Sequence, residues 1–403
     1  VRINIKRIMK IKNSNLYILV SVICIAATVI GMGNFSSSIY LKISSILSAT
    51  NNVVAIILFI ITIVDSMIYG VSHKKLIFFL ISIPIMLLNF HFSISGLVLP
   101  YLFICAYPSD LNIKSLFKAI YVTIFISIIV ILVLYFLGIT QDSIGLRENG
   151  MIRHSFGFSS PNTLGNIIII TFLLKIMLYW KTWSVRDTCL WLGILLGMYH
   201  FTNSRMPFCV ALLVLVIVVI FKYNIFFKQE SKFLYRIPVF VFGINTFLSF
   251  FLAYYFQNHN GIMFDLVNRI SSGRLNFMIN FLNEYGISIL GNKNIQFITA
   301  AQVRSSNNYL RWAGVDNSYI YISMVYGIVI LFLFGVMYYF AEKYFEQTSN
   351  WAGIIYLIAL AIIGLTENYM VNIAMNLLFF IFAEYLNSDT HTNLIWKKEI
   401  INQ

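Results

Sequence analysis

The feature that most constrains this chain is a series of long runs without a charged residue. LYILVSVICIAATVIGMG, residues 16–33, is one of them, and VALLVLVIVVIF, residues 210–221, is the core of another. Helical runs of this kind cross about 30 Å of hydrocarbon and satisfy their backbone hydrogen bonds internally. Charged residues make up only 11% of the 403 residues, against roughly a quarter in a soluble protein. The sequence therefore predicts an all-α, polytopic membrane protein.

Hydropathy places about twelve transmembrane helices along a single integral membrane domain, residues 1–403. The predicted spans are Leu16–Gly33, Asn52–Tyr69, Leu76–Phe90, Ser93–Tyr107, Leu116–Ile139, Leu164–Trp180, Thr188–Phe201, Phe208–Phe227, Ile237–Phe256, Ser318–Ala341, Ala352–Leu365 and Val371–Tyr385. Two connections are longer than a turn: a medium loop, residues 141–162, and a long loop, residues 257–317. Helical periodicity around Leu266, Val267 and Ile270 predicts that the long loop is partly helical.

The distribution of Lys and Arg predicts the orientation of the chain. The net charge is +13, but the positive charges are scattered singly between apolar runs, which is not the pattern of a nucleic-acid-binding module. If the basic N-terminal segment lies in the cytoplasm, every segment that alternation places inside carries at least one Lys or Arg. We therefore predict that both termini are cytoplasmic and that the medium and long loops are external.

The external segments are rich in arginine, which the positive-inside rule does not predict. The external arginines that we consider as ligands for a diphosphate are Arg147, Arg153, Arg205, Arg269 and Arg274. Arginine presents a planar fork that binds two phosphate or carboxylate oxygens at once, whereas lysine is a point charge. The simpler alternatives are a solvated surface for the medium loop and interfacial anchoring by an amphipathic helix for the long loop.

Two external carboxylates lie where predicted helices begin or end. Asp316 precedes the tenth span, and Glu367 follows the eleventh. Either one alone is explained as a helix cap or an interfacial residue. Together with the arginines, they form a set of charges on one side of the membrane, at the depth where a lipid diphosphate would lie.

Several short motifs follow one another along the external side. They are Arg153-His154-Ser155-Phe156-Gly157-Phe158 with Pro161-Asn162, then Ser204-Arg205, then Arg269 and Ser272-Gly273-Arg274-Leu275, and finally Asp316-Asn317-Ser318-Tyr319 with Gly327. In this order, from about residue 115 to 385, the chain resembles the Wzy polysaccharide polymerases, which are related to the O-antigen ligases. It departs from the ligases at Asp316, where they have His before Asn. The resemblance implies a GT-C-like glycosyltransferase of a bacterial cytoplasmic membrane, acting on undecaprenyl-diphosphate-linked sugars.

The reaction implied is polymerisation of lipid-linked repeat units. The growing glycan would leave its carrier, with inversion, and join the non-reducing end of a new unit. The arginines would bind the diphosphate, and Asn162, Asn317 and Tyr319 would make further substrate contacts. We expect no cofactor or metal, because the external carboxylates lack metal-ligand spacing. The expected partners are membrane lipid, a flippase and a chain-length regulator, and no nucleic acid.

The general base stays open among Asp316, His154 and Glu367. Imidazole, with a pKa of about 6.5, is well suited to proton transfer at neutral pH, and an arginine near Asp316 is expected to lower the pKa of that carboxyl. The order of the motifs nevertheless favours Asp316. Two other functions also stay open: an O-antigen-ligase-like transferase, and a flippase, which would place its cations in a central cavity and show two similar halves.

Overall fold

The computed structural model describes residues 2–88, 94–146, 150–222, 232–259, 261–292, 295 and 315–387. These residues are predominantly helical, with almost no strand, which confirms the all-α fold class. Within them, the helices long and apolar enough to cross a membrane number seven: Asn13–Gly31, Ile39–Ile68, Ile113–Phe136, Pro161–Tyr179, Arg205–Lys222, Leu234–Asn258 and Ile328–Gln347. Three shorter apolar helices accompany them: Gly96–Cys105, Trp351–Ile363 and Leu378–Asn387. The protein is thus of the polytopic membrane class, while twelve crossings and their orientation stay predictions.

The helices are numbered here in chain order. They are α1 (Arg2–Gly31), α2 (Ser37–Tyr69), α3 (His73–Leu88), α4 (Leu99–Cys105), α5 (Ile113–Phe136), α6 (Pro161–Tyr179), α7 (Val185–Thr202), α8 (Arg205–Lys222), α9 (Ile237–Asn258), α10 (Ile262–Ile270), α11 (Arg274–Tyr285), α12 (Ser318–Val325), α13 (Ile328–Gln347), α14 (Trp351–Ile363) and α15 (Leu378–Asn387). A π-helical turn, Ile94–Val98, precedes α4, and 3-10 turns occur at Lys232–Arg236 and Tyr369–Val371. Two short strands, β1 (Gly145–Leu146) and β2 (Ile152–Arg153), pair in the medium loop. The long loop carries α10 and α11, so its described part is largely helical.

The central helix of the bundle is α6. In the most apolar stretch of 18 residues in α6, 72% of the residues are buried, a larger share than in the corresponding stretch of any other of the seven long helices. It packs against α5, α7, α8 and α14, while α1 packs on α2 and α5, and α9 packs on α13 and α14. Because α6 is surrounded by other helices, residues at its N-terminus lie in the middle of one end of the bundle.

The medium loop folds back onto the protein at the N-terminal end of α6. Phe158 is fully buried and forms a bridge with Gly33 at the end of α1. The Asn34 N–H donates to the Gly157 carbonyl at 2.7 Å, and the Gln141 N–H donates to the Asn34 carbonyl at 2.8 Å. The end of the bundle where α1 ends, α2 begins and α6 begins is therefore covered by this loop. We call it the site end.

One predicted span, Ser318–Ala341, is two helices, so the prediction of a continuous helix is wrong. The chain breaks at Gly327, whose φ of 99° lies in the region that favours glycine. A Cβ at this position would lie 2.3 Å from the Ile289 carbonyl oxygen. The N–H groups of Ile328 and Val329 donate to the carbonyls of Ser288 and Ile289 at 3.0 and 3.3 Å. The segment of the long loop that follows α11 thus inserts at the break and satisfies the first donors of α13.

The last predicted span, Val371–Tyr385, is also wrong in its first half, because regular helix begins only at Leu378. The preceding backbone is buried and irregular. The Asn372 Oδ1 accepts from the N–H groups of Ala374 and Met375, and the Asn376 Nδ2 donates to the Met370 carbonyl at 2.6 Å. Asparagine side chains here take over the hydrogen bonds that a helix would have made. Hydropathy could not show this, because the segment is as apolar as a span.

Candidate functional site

Three predicted site residues from distant parts of the chain meet at the site end. The Arg274 Nη2 lies 3.0 Å from the Glu367 Oε1, and its Nε lies 3.3 Å from the Asp316 Oδ2. Arg274 is the first residue of α11, Asp316 stands two residues before α12, and Glu367 follows α14. We call these residues the site triad. One guanidinium therefore bridges two carboxylates, with a different nitrogen facing each of them.

Local hydrogen bonds tie the start of α12 to the segment that carries Glu367. The Asn317 Oδ1 caps α12 by accepting from the Ile320 N–H at 3.0 Å, and its Nδ2 donates to the Leu365 carbonyl at 3.1 Å. The Ser318 hydroxyl donates to the Glu367 carbonyl at 2.6 Å. Asn317, predicted as a substrate contact, is 7% exposed and is used in the structure to hold the two carboxylate-bearing segments together.

The two carboxylates differ in their exposure. The side chain of Asp316 is 33% exposed and that of Glu367 is 5% exposed, with Arg274 at 17%. Burial raises the pKa of Glu367 to about 7, although Arg274 opposes the rise. Burial also raises the pKa of Asp316, again against the effect of Arg274. The prediction that a nearby arginine would lower the pKa of Asp316 is wrong, because loss of water outweighs the ion pair.

A second arginine, Arg153, is held at the N-terminus of α6. Its Nε donates to the Thr202 carbonyl at 2.8 Å, and its Nη2 donates to the Asn162 Oδ1 at 2.6 Å and to the Ser204 Oγ at 3.3 Å. The Ser204 hydroxyl in turn donates to the Pro161 carbonyl at 3.0 Å. These contacts fix the guanidinium against the first turn of α6, where the helix dipole also favours an anion.

The first turns of α6 connect Arg153 to the site triad. Asn162 contacts Arg153, and Thr163 lies 3.4 Å from the Tyr369 hydroxyl, two residues after Glu367. Asn166, one turn beyond Asn162, lies beside the Glu367 carboxyl and partly offsets the rise in its pKa. One helical turn corresponds to about 5.4 Å of rise. The two arginine clusters therefore lie about one helical turn apart along one face of the beginning of a buried helix.

His154 lies in a separate arrangement. Its Nδ1 is 2.6 Å from the Asp142 Oδ2, and the Asp142 Oδ1 accepts from the N–H groups of Ser155 and Phe156 at 2.7 and 3.2 Å. Burial raises the pKa of Asp142, but the hydrogen bonds from His154 and Ser155 outweigh it and hold the pKa below its usual range. The carboxylate orients the imidazole. Within the described ranges, no hydrogen bond or ion pair joins His154 to the site triad.

The remaining predicted site residues are dispersed. Arg205 and Arg269 are exposed, and in the part of the chain that the structure describes neither forms an ion pair. Tyr319 is fully buried, and its hydroxyl donates to the Ala361 carbonyl at 2.7 Å. Arg147 lies outside the described residues. Among the residues in the ranges given above, no group of three His, Cys, Asp or Glu could hold a metal ion.

Sequence reasoning missed Asn166, Tyr369 and the pairing of Asp142 with His154. Asn166 is 2% exposed, and its side chain faces the Glu367 carboxyl. A signal for it was available, because a polar residue inside an otherwise apolar span indicates a functional position. Asp142 and Tyr369 gave no such signal, since each stands in a polar connecting segment.

The comparisons with known proteins add no relative. No family model, no curated protein and no solved structure matches this chain. The function must therefore be argued from the residues and their geometry.

Proposed function

We propose that this protein polymerises undecaprenyl-diphosphate-linked oligosaccharide repeat units on the outer face of a bacterial cytoplasmic membrane. The growing glycan is transferred from its lipid diphosphate to the non-reducing end of a new lipid-linked unit. The observation that carries the proposal is the site triad: Arg274 held between Asp316 and Glu367, beside the helix start that holds Arg153. It combines fixed cations with a carboxylate that is partly open to solvent.

The arginines stabilise the negative charge that develops on the leaving diphosphate. A diphosphate leaving group gains negative charge as its bond to the sugar breaks, and fixed cations in a partly dehydrated site stabilise that charge. Arg274 lies mostly out of water, at 17% side-chain exposure, and Arg153 is oriented by Thr202 and Asn162. In this proposal the diphosphate binds between them, at the N-terminus of α6.

Asp316 is the general base in this proposal, because a base must come within about 2.6–3.2 Å of the hydroxyl that it deprotonates. At 33% exposure its carboxylate can meet a substrate, whereas Glu367 at 5% cannot without rearrangement. Glu367 holds Arg274 from the buried side. The acceptor O–H bond breaks and its proton passes to Asp316. The acceptor oxygen bonds to the donor anomeric carbon, and the bond from that carbon to the diphosphate breaks with its electron pair leaving on oxygen.

The test is reconstitution with purified protein and the lipid-linked unit that accumulates in cells lacking it. We expect a ladder of glycans that grows by whole repeat units, in the presence of EDTA as well as without it. Activity that vanishes with EDTA and returns with Mg²⁺ would contradict the arginine mechanism. Transfer of one finished glycan to a different acceptor, with no ladder, would indicate a ligase. Movement of the unit across a vesicle membrane, without new glycosidic bonds, would indicate a flippase.

A further inference from the structure

One cavity at the site end is not used by the proposed reaction as described so far. It has a volume of about 430 Å³ and lies between α1, α2, the turn before α4, the α12 region and residues 368–373. Its polar lining consists of Thr28, Asn51, Tyr321, Tyr326, Asn368, Tyr369 and Asn372. We call it the tyrosine–asparagine chamber. Cavities that hold small molecules have volumes of about 300–1,000 Å³, so the chamber is large enough for a ligand.

The lining of the chamber suits a sugar. The C–H face of a pyranose packs on an aromatic ring, and its hydroxyls pair with phenol and amide groups that can both donate and accept. Asn51, Asn368 and Asn372 add amide groups to this lining. Amide and phenol groups pair with the hydroxyls of a sugar, whereas an isoprenoid chain offers them no hydrogen-bonding partner.

The chamber adjoins the site triad along the backbone. Asn368 and Tyr369 line it and directly follow Glu367. On another wall, Tyr321 lies about one helical turn beyond Asn317, which caps α12 immediately after Asp316. The Tyr369 hydroxyl lies 3.4 Å from Thr163 at the beginning of α6. The chamber thus begins at the segment that carries Glu367.

We propose that the tyrosine–asparagine chamber is the acceptor subsite, which binds the non-reducing terminal sugars of the lipid-linked unit. This inference rests on the proposed function. The sugar whose hydroxyl loses its proton must lie next to the base, while the diphosphate of the donor lies next to the arginines. The residues that line the chamber include no Lys or Arg, so the chamber suits the uncharged acceptor sugar and not the donor diphosphate.

The test uses two matched pairs of variants. Ala27 lines the chamber, and its neighbour Ala26, equally half-buried, does not. Ala27→Phe fills the chamber, and Ala26→Phe is its control. Asn51→Leu removes an amide from the lining, and Asn52→Leu, at an exposed position on α2, is its control. For all four proteins we would measure the KM and kcat of polymerisation. We would also measure binding of the oligosaccharide released from the lipid-linked unit by mild acid, using saturation-transfer NMR.

We expect Ala27→Phe and Asn51→Leu to raise the KM by about tenfold or more, an effect of the size of one lost specific contact. The kcat should change less than about twofold, and the oligosaccharide signal should be lost, while both controls behave as the wild type. Unchanged KM and oligosaccharide binding in Ala27→Phe would overturn the subsite and leave the proposed function standing. A different result would overturn the proposed function and still support the chamber as a saccharide site. In that case the wild type would bind the oligosaccharide but form no polymer, and Ala27→Phe would abolish the binding.

Discussion

Two buried clusters of charge, at opposite ends of the bundle, differ in what surrounds them. At the end away from the site, the Lys75 Nζ lies 3.8 Å from the Asp65 Oδ2 and donates to the Tyr107 carbonyl at 3.2 Å. The Tyr107 hydroxyl donates to the Glu384 Oε2 at 2.7 Å. The side chains of Lys75 and Asp65 are 4% and 5% exposed. We call these four residues the opposite-end network.

The difference lies in accessibility and in the kind of partner. The opposite-end network joins α2, α3 and α15. Lys75, Asp65 and Tyr107 are buried and Glu384 is half-buried, and one of the acceptors is a backbone carbonyl. The site triad is built from residues at helix ends, and it leaves a third of Asp316 exposed. An ion pair as closed as that of Lys75 and Asp65 can fix helix positions, but it cannot meet a substrate. Burial of charge alone therefore does not identify a site, and the accessibility of Asp316 makes the site triad the candidate.

The prediction with the largest effect concerns the side of the membrane on which each end lies. In a protein whose four cysteines are replaced, Ile144→Cys in the medium loop should react fully with an impermeant thiol reagent in wall-stripped cells. Lys181→Cys, between α6 and α7, should not react until the membrane is opened. Both positions are exposed, so accessibility within the protein does not bias the result. Labelling of Lys181→Cys alone would reverse the orientation and remove the external site.

The second prediction separates catalysis from structure. Asp316→Asn should lower kcat by about 10²–10⁴-fold, because the amide cannot accept the proton. Asp65→Asn should lower the melting temperature, because it weakens a buried ion pair, and leave turnover per folded molecule near the wild-type value. Both are measured on the same lipid-linked unit. If Asp316→Asn retains its rate and His154→Gln, tested beside it, is inactive, then His154, oriented by Asp142, is the base.

The third prediction concerns the arginine fork. Arg274→Lys and Arg153→Lys keep the charge but lose the planar pair of donors, and each should lower kcat/KM by about 10–100-fold, less than complete removal of a donor. Arg236→Lys is the matched control, because Arg236 forms ion pairs outside the site. Its guanidinium lies 3.4 Å from the Glu342 carboxylate and 3.9 Å from the Glu346 carboxylate. Full-length polymer from both site variants at normal protein levels would contradict a diphosphate clamp.

The smallest predicted effect is the dependence of stability on pH. Burial raises the pKa of Glu367 from 4.5 to about 7, so between these values the folded protein binds more protons than the unfolded chain. Its stability therefore falls as the pH rises through this range and then levels off. The melting temperature of the wild type minus that of Glu367→Gln should decrease as the pH rises from 5 to 8. A constant difference would show that Glu367 is already ionised at the lower pH.

The sequence by itself determined the class of the protein and the residue types available for its chemistry. Charge-free runs predict helices because, in a membrane, a helix satisfies its own backbone. Periodicity in the long loop predicted helix where α10 and α11 are found. These properties depend on residues close together in the chain, and for that reason they can be read without a structure.

Tertiary structure alone decided which of those residues meet. Arg274 and Glu367 are 93 residues apart in sequence, and only the packing of α6, α11, α12 and α14 brings them to 3.0 Å. The break at Gly327 has the same origin, because it is the Ile289 carbonyl, from another segment, that leaves no room for a side chain. The pKa of Asp316 was predicted in the wrong direction for this reason too. Its ion pair was foreseeable from neighbouring charges, but its loss of water depends on how the whole end of the bundle closes around it.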